Sequence, residues 1–110
     1  KEEIVKKCSF FLERGVENVI ISRGGDGALL VNKKFVLEST VPKGKLINSI
    51  GAGDSMVAGF IAGYVKNMSI EDSFKLAVAS GSATAYSYGL AKNDLVSKLY
   101  DEINVIKEGV

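Results

Sequence analysis

An acidic residue placed directly after a glycine-rich turn is the feature of this sequence with the clearest chemical potential. Gly51, Ala52 and Gly53 carry almost no side chain, so an oxygen-rich ligand could touch their backbone N–H groups. Asp54 follows at once and opens an apolar stretch with helical spacing. The positive end of such a helix favours an ionised carboxylate and can bind an anion. This pattern suits phosphoryl transfer, with Asp54 as the base that accepts a hydroxyl proton.

Simpler interpretations of the same residues stay open. An acid at the front of a helix after a glycine turn is an ordinary capping arrangement that needs no chemistry. The dinucleotide-binding pattern G-x-G-x-x-G does not fit, because Met56 stands where the third glycine belongs. The Walker A pattern does not fit either, because no Gly-Lys-Ser/Thr follows. The local pattern therefore leaves capping and phosphoryl transfer as the two alternatives.

The front half of the chain, which must support this motif, is predicted to be mostly strands. Apolar residues at helical spacing predict a first helix that stops near Gly15. Short apolar runs then predict three strands, at residues 19–21, 28–31 and 35–37. The first run is continuous, as expected for a buried parallel strand. The glycines and the aspartate of residues 24–27 predict a turn between the first two strands.

The back half is predicted to be helical. Residues 55–66 form a helix in which Gly59 and Gly63 lie one turn apart, so another element can approach closely. Ser69, with an acid three residues later, resembles a capping box that starts a second helix. Asn93 begins a last helix with apolar residues three or four apart: Leu95, Leu99, Ile103 and Ile106. Strands followed by stacked helices predict an α/β fold, half of a layered domain.

Composition narrows the classes of function. The 110 residues suffice for one domain, and 46% hydrophobic with 25% charged residues is typical of a globular protein. The chain has no histidine and one cysteine, Cys8, which excludes an internal disulfide and mechanisms that depend on imidazole. Its 14 basic and 13 acidic residues are scattered, so nucleic acid is not a predicted partner. No secretion signal or membrane span is evident, so a cytoplasmic location is predicted.

The motif and its surroundings resemble a known family. Residues 48–61 resemble the second signature of the PfkB (ribokinase-like) carbohydrate kinases at every constrained position. Asn48 and the Ser-Met-Val after the acid are most similar to members that act on fructose 1-phosphate or tagatose 6-phosphate. The resemblance implies the C-terminal portion of a ribokinase-like three-layer α/β/α fold. Residues 1–110 would then form one domain, with the N-terminal sugar-binding part absent; Lys1, in place of a starting methionine, also indicates part of a longer protein.

The resemblance implies an activity and residue roles. The intact enzyme would be an ATP-dependent kinase that converts fructose 1-phosphate to fructose 1,6-bisphosphate, with ATP and Mg²⁺ as cofactors. Asp54 would be the general base, and Gly51, Ala52 and Gly53 would form the anion hole. The implied nucleotide contacts are Ser22, Gly24, Gly25, Gly27, Gly51, Gly53, Val78, Ser80 and Gly81. No protein ligand for a metal is evident. Asn48 stands where members with a monovalent-cation site have aspartate, so potassium activation is not expected.

Alternatives to this assignment stay open. Tagatose 6-phosphate is the nearest rival substrate. The chain by itself could be a nucleotide-binding module without turnover, because half a site does not position both substrates. It could also be a structural or dimerising fragment whose glycine turn binds nothing. Small residues at 78–81 are also explained by helix packing.

The predicted partners are a sugar phosphate and ATP, with no nucleic acid and no membrane. Loss of the N-terminal part would expose a sheet edge and apolar surface, which permits a homodimer. Arg23 occupies a position that is more often apolar in the family, so it is expected either to contact a phosphate or to be exposed.

Overall fold

The computed structural model describes residues 1–48, 50–87 and 93–109. Along this part of the chain it contains helices and strands in a mixed α/β arrangement. The helices are α1 (Glu2–Leu12), α2 (Ala52–Val65), α3 (Ile70–Ala85) and α4 (Asn93–Glu102). The strands are β1 (Val19–Ser22), β2 (Ala28–Val31), β3 (Phe35–Ser39) and β4 (Val105–Gly109). A short 3₁₀ turn, Gly24–Asp26, connects β1 to β2.

The strands form one antiparallel sheet in the order β1-β2-β3-β4. Ile20 pairs with Leu30, and Leu30 pairs with Leu37. The prediction of a parallel first strand is therefore wrong for the pairing that the structure describes. A short turn can join only antiparallel neighbours, whereas parallel neighbours need a long crossover. The outer edge of β1 has no strand partner among the described residues.

The C-terminal residues differ from the prediction of one long helix. α4 ends at Glu102, and Ile106 lies exposed in β4 rather than on a helix. β4 pairs with the outer edge of β3, from Phe35 opposite Gly109 to Ser39 opposite Val105. Two apolar residues three apart, Ile103 and Ile106, do not by themselves distinguish a helix from the start of a strand. The open edge of β3 supplies backbone hydrogen bonds, and these favour the strand.

The core lies on both faces of the sheet, because successive side chains of a strand point to opposite faces. On one face, Leu30 and Leu37 pack with Phe74 of α3 and Leu99 of α4. On the other face, a smaller cluster from the sheet and α1 contains Cys8, Leu12, Leu29, Val31 and Val36. Helices thus cover both faces of the sheet, which confirms the predicted α/β/α layering. Cys8 is a buried core residue, as its spacing predicts.

α2 lies against α3 at two glycines, as the sequence predicts. A Cβ atom added at Gly63 would lie 2.9 Å from the Ser73 Cα, and one added at Gly59 would lie 3.0 Å from the Leu76 carbonyl oxygen. Such distances are shorter than real Cβ contacts, so only glycine allows the two backbones to approach this closely. Ser69 caps α3, since its hydroxyl accepts a hydrogen bond from the Asp72 N–H at 3.0 Å.

The side of α2 that faces away from α3 is apolar as well. Val57, Ile61 and Val65 lie one turn apart on it and are 58%, 54% and 72% exposed. Asp54 precedes Val57 by three residues and therefore lies on the same side. A helix that is apolar all round is typical of a helix buried on every side. This exposed stripe of α2 (residues 57, 61 and 65) is a face that lacks a partner within the described residues.

Replacing Gly63 with alanine should destabilise the fold although alanine is the better helix former. The new methyl group would push against the Ser73 backbone, at a cost of about 1–3 kcal/mol that exceeds the propensity gain of about 1 kcal/mol. Chemical denaturation measures this loss of unfolding free energy. Gly53→Ala is the matched control, because a Cβ at Gly53 meets nothing within 4 Å. Equal stability of the two variants would contradict the close-contact interpretation.

Candidate functional site

A cavity of about 740 Å³ opens where the turn after β1, the segment from β3 to α2, the start of α2 and the end of α3 meet. Its size is in the range of small-molecule sites. Most of the predicted site residues line it: Ser22, Gly24, Gly25, Gly27, Ala52, Gly53, Val78 and Gly81. These residues come from separate parts of the sequence, so the fold brings the two glycine-rich segments to one cavity.

The wall formed by the β1–β2 turn depends on glycine. The N–H of Gly27 donates to the Gly24 carbonyl at 3.2 Å, and the Arg23 N–H donates to the Gly27 carbonyl at 2.8 Å. Gly24 and Gly27 have φ angles of +57° and +91°, which disfavour residues with a side chain. A Cβ at Gly27 would also overlap the Ser39 carbonyl oxygen. The turn therefore presents bare backbone to the cavity.

Arg23 is held by the protein rather than free. Its Nη2 lies 2.8 Å from Glu38 Oε2 and donates to the Asp26 carbonyl oxygen at 2.9 Å. The Arg23 side chain is 17% exposed, so the predicted alternative of an exposed side chain does not describe it. Glu38 also accepts from Lys1 Nζ at 3.2 Å. The hydrogen bonds from Arg23 and then Lys1 lower the pKa of the Glu38 carboxyl.

The second glycine segment forms the start of α2. Gly51 has a φ angle of +83°, and the helix begins at Ala52, two residues before the acid. The N–H of Ser55 donates to the Gly51 carbonyl at 3.0 Å. The N–H groups of Ala52, Gly53 and Asp54 therefore precede the first such bond of the helix. The described residues supply no side-chain cap for this end. Such an end of a helix suits an anion.

Asp54 lies in the first turn of α2 and is exposed. It does not line the cavity itself, but it directly follows Gly53, which does. Gly51 also lies outside the lining. The Ser55 and Thr84 hydroxyl oxygens are 2.6 Å apart and join the first turn of α2 to α3. The carboxylate is thus placed at the border of the cavity, on the same side as the exposed stripe of α2.

Residues of α3 form the floor of the cavity. Gly81 lies beneath the start of α2, where an added Cβ would be 3.1 Å from the Ala52 carbonyl oxygen. Ser82 lines the cavity, but Ser80 does not. The Ser80 hydroxyl lies instead next to the site where Gly59 lacks a side chain. The structure thus places Ser80 at the contact between α2 and α3 and Ser82 along the cavity.

The segment between β3 and α2 also lines the cavity, and sequence reasoning missed it. It contributes Val41, Pro42, Lys43, Gly44 and Leu46. Tyr86, at the end of α3, anchors this segment because its hydroxyl donates to the Pro42 carbonyl at 2.7 Å. Burial raises the pKa of the Tyr86 phenol, which favours the protonated donor. The only signal in the sequence was Pro42, since an irregular segment has no periodicity.

The described residues contain no group of three or more histidine, cysteine, aspartate or glutamate side chains arranged to hold a metal. The described residues that line the cavity include no carboxylate. In the part of the chain that the structure describes, no helix combines the length and apolar character needed to cross a bilayer.

Comparison with known sequences finds a family match over most of the chain. The profile of the pfkB family carbohydrate kinases matches residues 1–96. The 1-phosphofructokinase of Bacillus subtilis is 49% identical over 106 residues, which cover 96% of this chain and 35% of that protein. The D-tagatose-1-phosphate kinase of Bacillus licheniformis is 42% identical over 99 residues, covering 90% of this chain and 32% of that protein. The chain thus spans about a third of the length of the curated relatives it matches.

Solved structures share the fold. A Staphylococcus aureus protein with a provisional phosphofructokinase assignment superposes with a TM-score of 0.94 at 36% identity, covering 99% of this chain and 36% of that chain. The ribokinase of Thermotoga maritima superposes with a TM-score of 0.81 at 25% identity, covering 89% and 34% of the two chains. The architecture is therefore ribokinase-like, as the resemblance implies.

Replacing Glu38 with glutamine should make the fold less stable at neutral pH, and this difference should shrink in acid. A carboxyl whose pKa is lowered on folding stabilises the folded state above its unfolded pKa, and this stabilisation is lost as the pH falls through the folded value. Urea denaturation at pH 7 and pH 3 measures both differences. Glu108→Gln is a control, since Glu108 shares Lys1 but lacks the contact with Arg23. A Glu38→Gln difference that is the same at both pH values would refute this account.

Proposed function

Because the chain belongs to the pfkB family of carbohydrate kinases, we propose that it is the nucleotide-binding and catalytic-base part of an ATP-dependent sugar-phosphate kinase. One observation carries the proposal. Two glycine segments, one after β1 and one before α2, line the same cavity, and the second continues directly into Asp54. A cavity lined by bare backbone next to a helix start and a carboxylate suits the transfer of a phosphoryl group.

In this proposal, ATP occupies the cavity. The apolar side chains of Val78, Met56 and Tyr86 provide a surface for the base, and the glycine segments provide backbone N–H groups for the phosphates. Mg²⁺ accompanies the ATP phosphates as their counter-ion, because the lining offers no carboxylate to hold it. No proposed step depends on a protein ligand for the metal.

Asp54 acts as the general base. Its carboxylate accepts the proton of a sugar hydroxyl while the hydroxyl oxygen forms a bond to the terminal phosphorus of ATP. The bond from that phosphorus to the bridging oxygen breaks, and ADP leaves with the electron pair. The backbone N–H groups of residues 51–53 stabilise the negative charge on the transferring group. The exposure of Asp54 leaves room for a second substrate on the side away from α3.

The sugar contacts are proposed to come from the part of the family fold that this chain does not span. The exposed stripe of α2 supports this division, since it is apolar and continues from Asp54. A polypeptide that covers the stripe would also reach the carboxylate and could bring the sugar hydroxyl to it. In the absence of that part, the stripe is the surface through which two copies would form a homodimer.

The proposed reaction of the complete enzyme is the conversion of fructose 1-phosphate to fructose 1,6-bisphosphate. Relatives named 1-phosphofructokinase support this substrate. A tagatose phosphate is the alternative substrate, supported by the relative named D-tagatose-1-phosphate kinase. The chain by itself is proposed to bind nucleotide without turnover, because the exposed Asp54 has no second substrate held beside it.

Titration of the chain with Mg-ATP, followed by amide NMR shifts, tests the nucleotide site. Shifts should be confined to residues 22–28, 41–46, 51–56 and 78–86, which line or border the cavity. Asp54→Asn should bind ATP with an affinity within about twofold of the original, because the carboxylate serves chemistry rather than affinity. A well-dispersed spectrum without shifts at millimolar ATP would exclude nucleotide binding by the isolated chain.

A chimera tests the catalytic role of Asp54. This chain replaces the matching segment of the Bacillus subtilis 1-phosphofructokinase, with which it shares 49% identity. The chimera should phosphorylate fructose 1-phosphate, and Asp54→Asn should lower kcat by about 10²–10⁴-fold with little change in the KM for ATP. A coupled assay of ADP release measures both constants. Asp72→Asn, in the first turn of α3, is the control for loss of an exposed helical acid. An Asp54→Asn chimera of unchanged kcat would rule out the general base.

A further inference from the structure

Among the described residues that line the cavity, Lys43 is the one that carries a charge. The other lining residues are apolar, glycine, serine or tyrosine. Lys43 is itself exposed, so solvent screens its charge in part, but it lies beside described lining residues that carry no charge. The charge of Lys43 is therefore the main side-chain feature of the cavity that could select a ligand by its charge.

Tyr86 holds the backbone on both sides of Lys43. The Tyr86 hydroxyl donates to the Pro42 carbonyl at 2.7 Å, directly before the lysine. Gly44, directly after it, lies against the Tyr86 ring so closely that an added Cβ would overlap ring atoms. Further along, the N–H groups of Ile47 and Asn48 donate to the Ala85 carbonyl at 2.8 and 3.0 Å. The segment is irregular, but its position relative to the end of α3 is determined by these contacts.

Arg23 and Lys43, which both lie near the cavity, differ in whether a carboxylate pairs with them. Arg23 is committed to Glu38, with 2.8 Å between guanidinium and carboxylate. Lys43, by contrast, forms no ion pair with any carboxylate among the described residues. An ammonium group without a carboxylate partner retains its charge and its three donors for an anionic ligand.

We propose that Lys43 binds the phosphate groups of the nucleotide in this cavity and makes the site selective for nucleoside polyphosphates over the nucleoside. The inference rests on the proposed function, since it names a further binding residue of the same site. Lysine binds phosphate as a point charge, and it would add to the backbone N–H groups of the two glycine segments. Neither the PfkB-type motif nor the glycine turn contains this residue, so no sequence pattern marks it.

Amide NMR titrations of the 110-residue chain with ATP and with adenosine test the proposal. Lys43→Met should weaken ATP binding by about three- to tenfold, as for the loss of one partly exposed charge-assisted contact, and should leave adenosine binding unchanged. Lys43→Arg keeps the charge and should retain most of the ATP affinity. Lys45→Met is the matched control, because Lys45 lies two residues away in the same exposed segment but does not line the cavity.

The outcomes separate this inference from the proposed function. If the original chain binds ATP and Lys43→Met binds it equally well, the role of Lys43 is refuted while nucleotide binding stands. The same holds if Lys45→Met loses as much affinity, since the effect would then be one of overall charge. If the original chain binds ATP at residues far from the cavity or not at all, the nucleotide site itself is refuted, and the role of Lys43 with it.

Discussion

The contact between α2 and α3 determines where the candidate site can form. Gly59, Gly63 and Gly81 each lie where a side chain on one helix would press into the other. Because the helices meet at this distance, the start of α2 lies over the end of α3, and its N–H groups border the cavity. The cavity therefore depends on the absence of side chains at Gly59 and Gly63, which do not line it, as well as at Gly81, which does. A bulkier residue at any of them would displace the start of α2.

Around that contact, the walls of the cavity are held by interactions that leave backbone rather than side chains facing inward. Positive φ angles at Gly24 and Gly27 shape one wall, and Arg23 with Glu38 fastens it to the sheet. Tyr86 fastens the opposite segment through Pro42. Near the cavity, the charge of Arg23 is thus paired with Glu38, whereas Lys43 has no carboxylate partner among the described residues. In a chain with a net charge of +1, the proposed phosphate site would therefore depend on local rather than overall charge.

The exposed stripe of α2 links the fold to the proposed division of the site between this chain and the rest of the family fold. Val57, Ile61 and Val65 would be unusual on the surface of a finished domain, yet they continue from the carboxylate of Asp54. Since relatives are about three times longer, the same helix can present one face to α3 and the other to the remainder of the family fold. A helix with two apolar faces would then suit the proposed role of Asp54 as a base between two substrates.

Much of this molecule could be predicted from its sequence, because the deciding forces were local. The turn glycines, the Ser69 cap, the apolar runs of the strands and the run from Gly51 to Asp54 all act within a few residues. Errors arose where distant parts of the chain compete. Residues 105–109 become a strand, not the continuation of a helix, because the edge of β3 is open.

The sequence by itself determined the family, the layered α/β class and the residues able to form an anion site beside an acid. Only the tertiary structure decided that β1 pairs antiparallel with β2, that Arg23 is neutralised by Glu38 and that Lys43 reaches the cavity. The physical reason is that helix starts and turns depend on neighbouring residues. Ion pairs, strand partners and cavity walls depend instead on which distant segments the packing of the core brings together.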